Sequence, residues 1–293
     1  CTISGWHGVT SVVLGNCGFG FAPIPPHMRD RAMLMMTRNE AIEFETMKEG
    51  MEWDKYGWET LPDWMAHIKR IPKGGNASML VPLNPLYAYV MGSVEEAKSR
   101  RPTRSEMDQM IALMKEALDA GCCGFSYQRC GVPSVQPDWD GTPMPTDVVP
   151  DHELIEFGKA LGEYGRGFIE MFDAAPSDHA TVEDFMTTLA EASGRPIVRN
   201  ILLADDENLQ RHRTFIDWLN ESHEKGLQVF GMGFTVRSPT ILTFEDWSLW
   251  DNAPNWHEVM NGKYEDRVAL MKDSAVRERL RKEVDMNLVG GLG

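Results

Sequence analysis

The feature that most constrains this chain is a repeated order: a short apolar run bounded by glycine, asparagine or proline, then a longer stretch with apolar residues three and four apart. The short runs are Val9 to Leu14, Ala77 to Leu83, Gly124 to Tyr127, Phe168 to Phe172, Ile197 to Leu203 and Gln228 to Phe234. None shows the polar alternation of a strand with one wet face, so each reads as a strand covered on both sides. Helices are predicted at Trp58 to Arg70, Ser105 to Ala120, Asp151 to Tyr164, Val182 to Ala192, Leu209 to Lys225 and Tyr264 to Glu283. This alternation implies a parallel sheet, because parallel neighbours need a crossover, usually helical. About six βα units are visible. An open doubly wound sheet and a closed eight-stranded barrel share the pattern. Against the open sheet, the first strand is followed by neither GxGxxG nor a phosphate-binding P-loop.

The punctuation agrees. Thr103-Arg104-Ser105-Glu106 and Asp151-His152-Glu153 place capping residues ahead of acidic first turns. Gly121, Gly165, Gly194 and Gly226 stand where left-handed C-caps are needed. Two connections, 21–55 and 129–150, are long and each follows a strand, the side on which barrel enzymes build active sites. The chain opens on Cys1 and runs straight toward a strand, and it stops on Asn287-Leu288-Val289-Gly290, so a single barrel domain over 1–293, cut at both ends, is expected.

Charge and cysteine usage narrow the partners. The net charge of -15, from 29 Lys+Arg against 44 Asp+Glu, would repel a phosphate backbone, so nucleic acid is not an expected partner. Five cysteines form no CxxC pair, which points away from a disulfide scaffold or zinc ribbon and toward a reducing cytoplasm. No apolar run reaches the roughly 18 residues of a membrane span. Cys122-Cys123 would point to opposite faces of a strand and read as core. The methionines at 28, 33, 35 and 36 either line an apolar substrate wall or pack a lid on itself.

The densest chemical signal is Gly15-Asn16-Cys17-Gly18-Phe19-Gly20-Phe21-Ala22-Pro23, directly after Ser11-Val12-Val13-Leu14. It puts Cys17 at the C-terminal end of a strand among glycines that let backbone approach closely. A thiolate there could bind zinc or act as a nucleophile, and a buried small hydrophobe is the plain alternative.

The run from Gly5 to Pro23 resembles the second barrel strand of the N-acyl-D-amino-acid deacylase (D-aminoacylase)-like amidohydrolases. Tyr89-Val90-Met91-Gly92, Glu116 to Gly121 with Gly124-Phe125-Ser126, Ala160 to Gly167 and Ser193-Gly194-Arg195-Pro196 extend the similarity in order. The resemblance implies a TIM-type (β/α)8 barrel with zinc at its mouth, Cys17 as a metal ligand and a small N-acylated substrate. It also implies a His-x-His pair on a strand before Cys1 and a general-base aspartate, both expected outside the chain. Three positions depart from the family. Asn84 stands where a histidine is frequent, Asn200 lies near the strand position of a ligand histidine, and Tyr127 replaces a small hydroxyl residue. Asn84, Asn200 and Tyr127 are therefore taken as substrate-contact candidates.

Asp205, just after a strand, is a weaker catalytic candidate than a helix cap. His67, His212 and His223 fall on helices as surface or packing residues, His7 reads as structural on the side away from the site, His152 lies at a helix start, and His27, His179 and His257 lie in loops without a carboxylate or histidine at metal-ligand spacing. The expected activity is metal-dependent hydrolysis of a non-peptide amide bond. The rival is a divergent barrel relative that binds a small molecule without hydrolysing it, and a nucleotide-binding open sheet resting on Gly18 and Gly20 is more remote.

Overall fold

A computed structural model of the chain describes residues 2–40, 42–132, 134, 136–174, 178–202, 204, 209–233 and 253–283. The strands are β1 (Ser11–Leu14), β2 (Asn76–Met79), β3 (Val81–Pro82), β4 (Gly124–Arg129), β5 (Phe168–Asp173), β6 (Ile197–Leu202) and β7 (Val229–Gly233). Every pairing is parallel, β1 with β2 in one sheet and β3-β4-β5-β6-β7 in the other. Only Leu80 separates β2 from β3, and its N–H donates to Leu14 O at 2.9 Å. One extended segment thus pairs with β1 through its first half and with β4 through its second. The order follows the sequence throughout, with none of the reversal at which a doubly wound sheet binds nucleotides. The described strands do not close on one another.

The helices are α1 (Thr2–Trp6), α2 (Arg29–Glu40), α3 (Phe44–Met51), α4 (Trp53–Tyr56), α5 (Leu61–Arg70), α6 (Leu83–Met91), α7 (Val94–Ser99), α8 (Arg104–Ala120), α9 (Asp151–Tyr164), α10 (Val182–Ser193), α11 (Arg211–Glu224), α12 (Pro254–Met260), α13 (Tyr264–Lys272) and α14 (Ser274–Arg281). Several start and stop where local chemistry says they should. Thr103 and Glu106 form a reciprocal capping box at α8, and left-handed Gly121, Gly165 and Gly194 end α8, α9 and α10. Asp151 is different. Pro150 occupies the N-cap, and the Asp151 carboxylate instead binds Arg129 and His179.

Three other expectations change. The stretch 21–55, expected as a long connection, is mostly helical: α2 and α3 mix methionines with charges, so their periodicity does not stand out in sequence. The start makes a short helix before β1. The predicted helix Tyr264 to Glu283 is broken at Asp273, whose backbone is extended and whose Oδ1 caps α14 by accepting from Ala275 N at 2.7 Å.

The core lies between the sheet and its helices. Phe125, Tyr127, Leu154, Phe157, Leu161, Ile169, Phe185 and Leu189 are wholly buried there. Gly124 opens β4 at φ +145, and a Cβ at that point would lie 1.8 Å from Phe168 O, so β5 leaves room for no side chain. All six residues of β4 are buried, as a strand covered on both sides requires, and it runs two residues beyond the expected Tyr127. β1 and β7 carry exposed apolar side chains, among them Val13, Leu14, Phe230 and Met232.

Candidate functional site

Strand parity builds the site. Alternate residues of a strand face opposite ways, and Ser126 of β4 is in register with Glu170 of β5, itself in register with Val198 of β6. Asn200, two residues past Val198, shares that face. The turn after β1 lies against it. Ser126 Oγ accepts from Gly18 N at 3.1 Å and donates to Gly15 O. Glu170 Oε2 accepts from Cys17 N at 2.6 Å, and Asn200 Nδ2 donates to Cys17 Sγ at 3.3 Å. Three successive strands therefore each supply one side chain to clamp one turn.

The clamp explains the backbone. Cys17 sits in the left-handed region at φ 56, which costs a non-glycine residue energy that surrounding contacts must offset. Gly18, at φ +74, has Tyr127 Cα at 3.0 Å and Asn84 Nδ2 at 3.1 Å from the point a Cβ would occupy. Only glycine fits this approach.

The electrostatics are those of a dry acid pair. Cys17 Sγ lies 3.9 Å from Glu170 Oε1, and both residues are buried. Burial pushes the Glu170 carboxyl up to about 8, although hydrogen bonds from Cys17 and Asn200 work the other way. Burial, reinforced by the Glu170 carboxylate, pushes the Cys17 thiol far above its ordinary range. Near neutral pH the pair holds protons that a cation could displace. Sulfur and carboxylate oxygen are zinc donors, and the Asn200 amide beside them carries an oxygen of its own. The residues thus fit part of a metal site. Among the described residues no group of three or more His, Cys, Asp or Glu is placed to hold a metal ion.

Of the sequence candidates, Cys17, Asn200 and Asn84 come together around this turn. Asn84, in the first turn of α6, accepts through Oδ1 from Thr146 N at 2.9 Å and Thr146 Oγ1 at 2.7 Å, while its Nδ2 faces Gly18 without a partner. Tyr127 does not join them. It lies one residue out of phase with Ser126, wholly buried beside Phe125, with its hydroxyl 3.5 Å from Met171 Sδ. That places it in the core on the opposite face of the sheet. Asp205 lies outside the described residues. Glu170 escaped the sequence reading. Its signal was a single acid inside Phe168-Ile169-Glu170-Met171-Phe172, where a buried charge needs a partner.

The other polar residues resolve into structure. His179 Nδ1 lies 2.6 Å from Asp151 Oδ2 and its Nε2 2.9 Å from Thr188 Oγ1, a pairing invisible from spacing. His67 packs against Trp58 and Trp64, and His223 Nε2 is 2.6 Å from Val229 O. Cys17, Cys122 and Cys123 are free thiols. No helix among the described residues is long and apolar enough to cross a membrane.

Comparison with known proteins agrees with this reading of the fold. No family model matches the chain. Uncharacterised proteins of Mycobacterium tuberculosis and Mycobacterium bovis are 32% identical over 306 residues, covering 97% of this chain and 47% of their own length. An N-acyl-D-aspartate deacylase of Alcaligenes xylosoxydans xylosoxydans is 25% identical over 215 residues, 73% of this chain and 38% of that protein. The chain thus spans less than half the length of these relatives. A solved D-aminoacylase structure, a mutant in complex with copper chloride, superposes with a TM-score of 0.54 at 22% identity over 77% of this chain and 41% of its own. The chain is therefore similar in sequence to an N-acyl-D-aspartate deacylase and, over a shorter stretch, to a D-aminoacylase, and similar in fold to the solved D-aminoacylase.

Proposed function

We propose that the protein carrying this chain is a metal-dependent amidohydrolase that cleaves the non-peptide amide bond of a small N-acyl-amino acid, on the pattern of the N-acyl-D-amino-acid deacylases. The observation that carries this reading is the buried convergence of Cys17, Glu170 and Asn200 on one face of consecutive parallel strands. Loops beyond strand ends are where barrel enzymes assemble their chemistry, and the turn holding Cys17 follows β1 directly. The proposal extends the sequential parallel sheet to a closed barrel in the whole protein.

Cys17 and Glu170 would hold the metal, taken as zinc, with Asn200 beside them. Bound zinc lowers the pKa of water to about 7 and polarises an amide carbonyl. Glu170 fixes the turn by accepting from Cys17 N, so the thiol and carboxyl stay in place whether or not both are ionised. Asn200 steadies the thiolate with its amide, and Asn84 has an unused donor for a substrate oxygen. In this proposal the general-base aspartate and the remaining ligands lie outside the described residues, and the protein acts in the cytoplasm.

A second reading is a small-molecule binding protein without turnover. It is favoured by Asn84 and Asn200, since asparagine is a poor zinc ligand and the resemblance implies histidines at or near these positions. Metal analysis of the purified protein, together with assay of a panel of N-acyl-D- and N-acyl-L-amino acids, separates the two. The hydrolase reading expects bound zinc and turnover. Glu170→Gln should weaken zinc at least tenfold, on the order of 1.4 kcal/mol. Absence of zinc together with absence of hydrolysis across the panel would overturn it.

A further inference from the structure

The end of α2 comes to lie over the Cys17 turn. Met35 belongs to the small buried cluster that holds Cys17, and Met36 and Trp139 pack against that cluster from outside. Glu40, the last residue of α2, stands four residues beyond Met36 and so on the same face, one turn farther along. The helix end is pinned to the 129–150 connection. Arg38 Nη1 donates to Trp139 O at 3.3 Å and to Asn261 Oδ1 at 2.7 Å, and Asn39 Nδ2 donates to Pro137 O at 2.9 Å. These bonds hold Glu40 at the edge of the surroundings of Cys17.

The charge of Glu40 is unanswered. Among the described residues none forms a hydrogen bond or ion pair with its carboxylate. The residue is exposed, so a ligand can reach it, yet the protein around the carboxyl pushes that group up from its ordinary value. The charges that act most on the Cys17 thiol are those of Glu170 and Glu40, both acidic. The negative end of the twelve-residue α2 dipole lies at the same place and adds to the field. A zinc ion held by the Cys17 thiolate and the Glu170 carboxylate sets two charges against two. The field left beside the site is then that of Glu40 and the helix end, which attracts cations and repels a carboxylate.

We propose that Glu40 selects the substrate by charge: an N-acyl-amino acid whose side chain ends in a cation, of the lysine class, with that cation toward the end of α2 and the amide beside Cys17. The assignment rests on the amidohydrolase reading, which sets the amide at the metal. Glu40 takes no part in the bond cleavage and acts on which side chain is accepted. Unit charges about 6 Å apart at a wet protein surface attract enough to change affinity roughly tenfold.

The test compares N-acetyl-D-lysine, N-acetyl-D-norleucine and N-acetyl-D-2-aminoadipate, which share one backbone and nearly one length and differ in the charge at the side-chain end. Each is titrated calorimetrically into the zinc-loaded protein and assayed for hydrolysis beside it. The lysine derivative should bind roughly tenfold tighter than the norleucine derivative, and the aminoadipate derivative roughly tenfold weaker. Glu40→Gln should bring the three within about threefold of one another, and Glu40→Lys should invert the order. Salt at about 1 M, where screening acts within about 3 Å, should shrink the preference of the unaltered protein, which a purely steric role would not do. Equal affinities in the unaltered protein, or its order of preference kept in Glu40→Lys, would overturn the assignment. Hydrolysis of all three derivatives with one kcat/KM overturns the charge selection and leaves the hydrolase reading standing. The expected order of binding with no hydrolysis of any of the three counts against the hydrolase reading and leaves the charge selection standing.

Discussion

Replacement of Arg129 by methionine tests how this chain anchors the end of its sheet. Arg129 ends β4 with its side chain 2% exposed, and the carboxylates it binds are as deeply buried, Asp173 at 0% and Asp151 at 4%. Its Nε and Nη2 donate to Asp173 Oδ2 at 3.0 and 2.6 Å, its Nη1 donates to Asp151 Oδ1, and the guanidinium lies 4.4 Å from the Phe185 ring centre. One side chain therefore joins β4, β5, α9 and α10. Methionine preserves much of the volume and removes the charge, so the buried Asp173 and Asp151 both lose the guanidinium, while Asp151 keeps His179. Loss of one member of such a buried pair costs about 3–5 kcal/mol. At about 2–4 °C per kcal/mol for a chain of this size, the melting temperature should fall by roughly 6–20 °C. Urea unfolding at pH 7 followed by tryptophan fluorescence, with scanning calorimetry beside it, measures both quantities. The double variant Arg129→Met/Asp173→Asn should recover about 1–2 kcal/mol, because an amide needs no counterion. An Arg129→Met protein within about 1 kcal/mol of the parent, or a double variant showing the full sum of two losses, would refute the argument.

Gly18→Ala should destabilise the chain by about 1–3 kcal/mol, read as a melting shift, because a side chain at φ +74 would press on Tyr127 and Asn84. Asp147 gives a pH test. Burial pushes its carboxyl up to about 7 against hydrogen bonds from Cys130 N, Met144 N, Ser134 and Gln128, so the folded state holds this proton more tightly than the unfolded chain, where the value is 3.8. Stability from this group is present in full below 3.8 and lost as pH rises through 7, so the parent should weaken relative to Asp147→Asn by up to about 3 kcal/mol between pH 5 and 8. Equal slopes in denaturation curves across that range would count against it. Thr103→Ala removes the α8 capping box and should cost about 1 kcal/mol in urea unfolding.

The sequence by itself determined whatever depends on near neighbours. Strand and helix order, the parallel sense of the sheet, the cap at Thr103 and the glycine stops of α8, α9 and α10 all follow from spacing and turn chemistry within a few residues. Cys17 was legible for the same reason, as a thiol at a strand end among glycines. What the tertiary structure alone decided are partnerships across long separations. Glu170 meets Cys17 from 153 residues away, and Asn200 meets it from 183. No local pattern encodes such a pairing, which arises when strand register brings Ser126, Glu170 and Asn200 to one face. Register also separates neighbours. Because side chains alternate along a strand, one step divides Ser126, which clamps the site, from Tyr127, which fills the core. The helices of 21–55 were illegible for a related reason: their methionines gain an apolar side only where α6 and the turn after β1 come to lie against them.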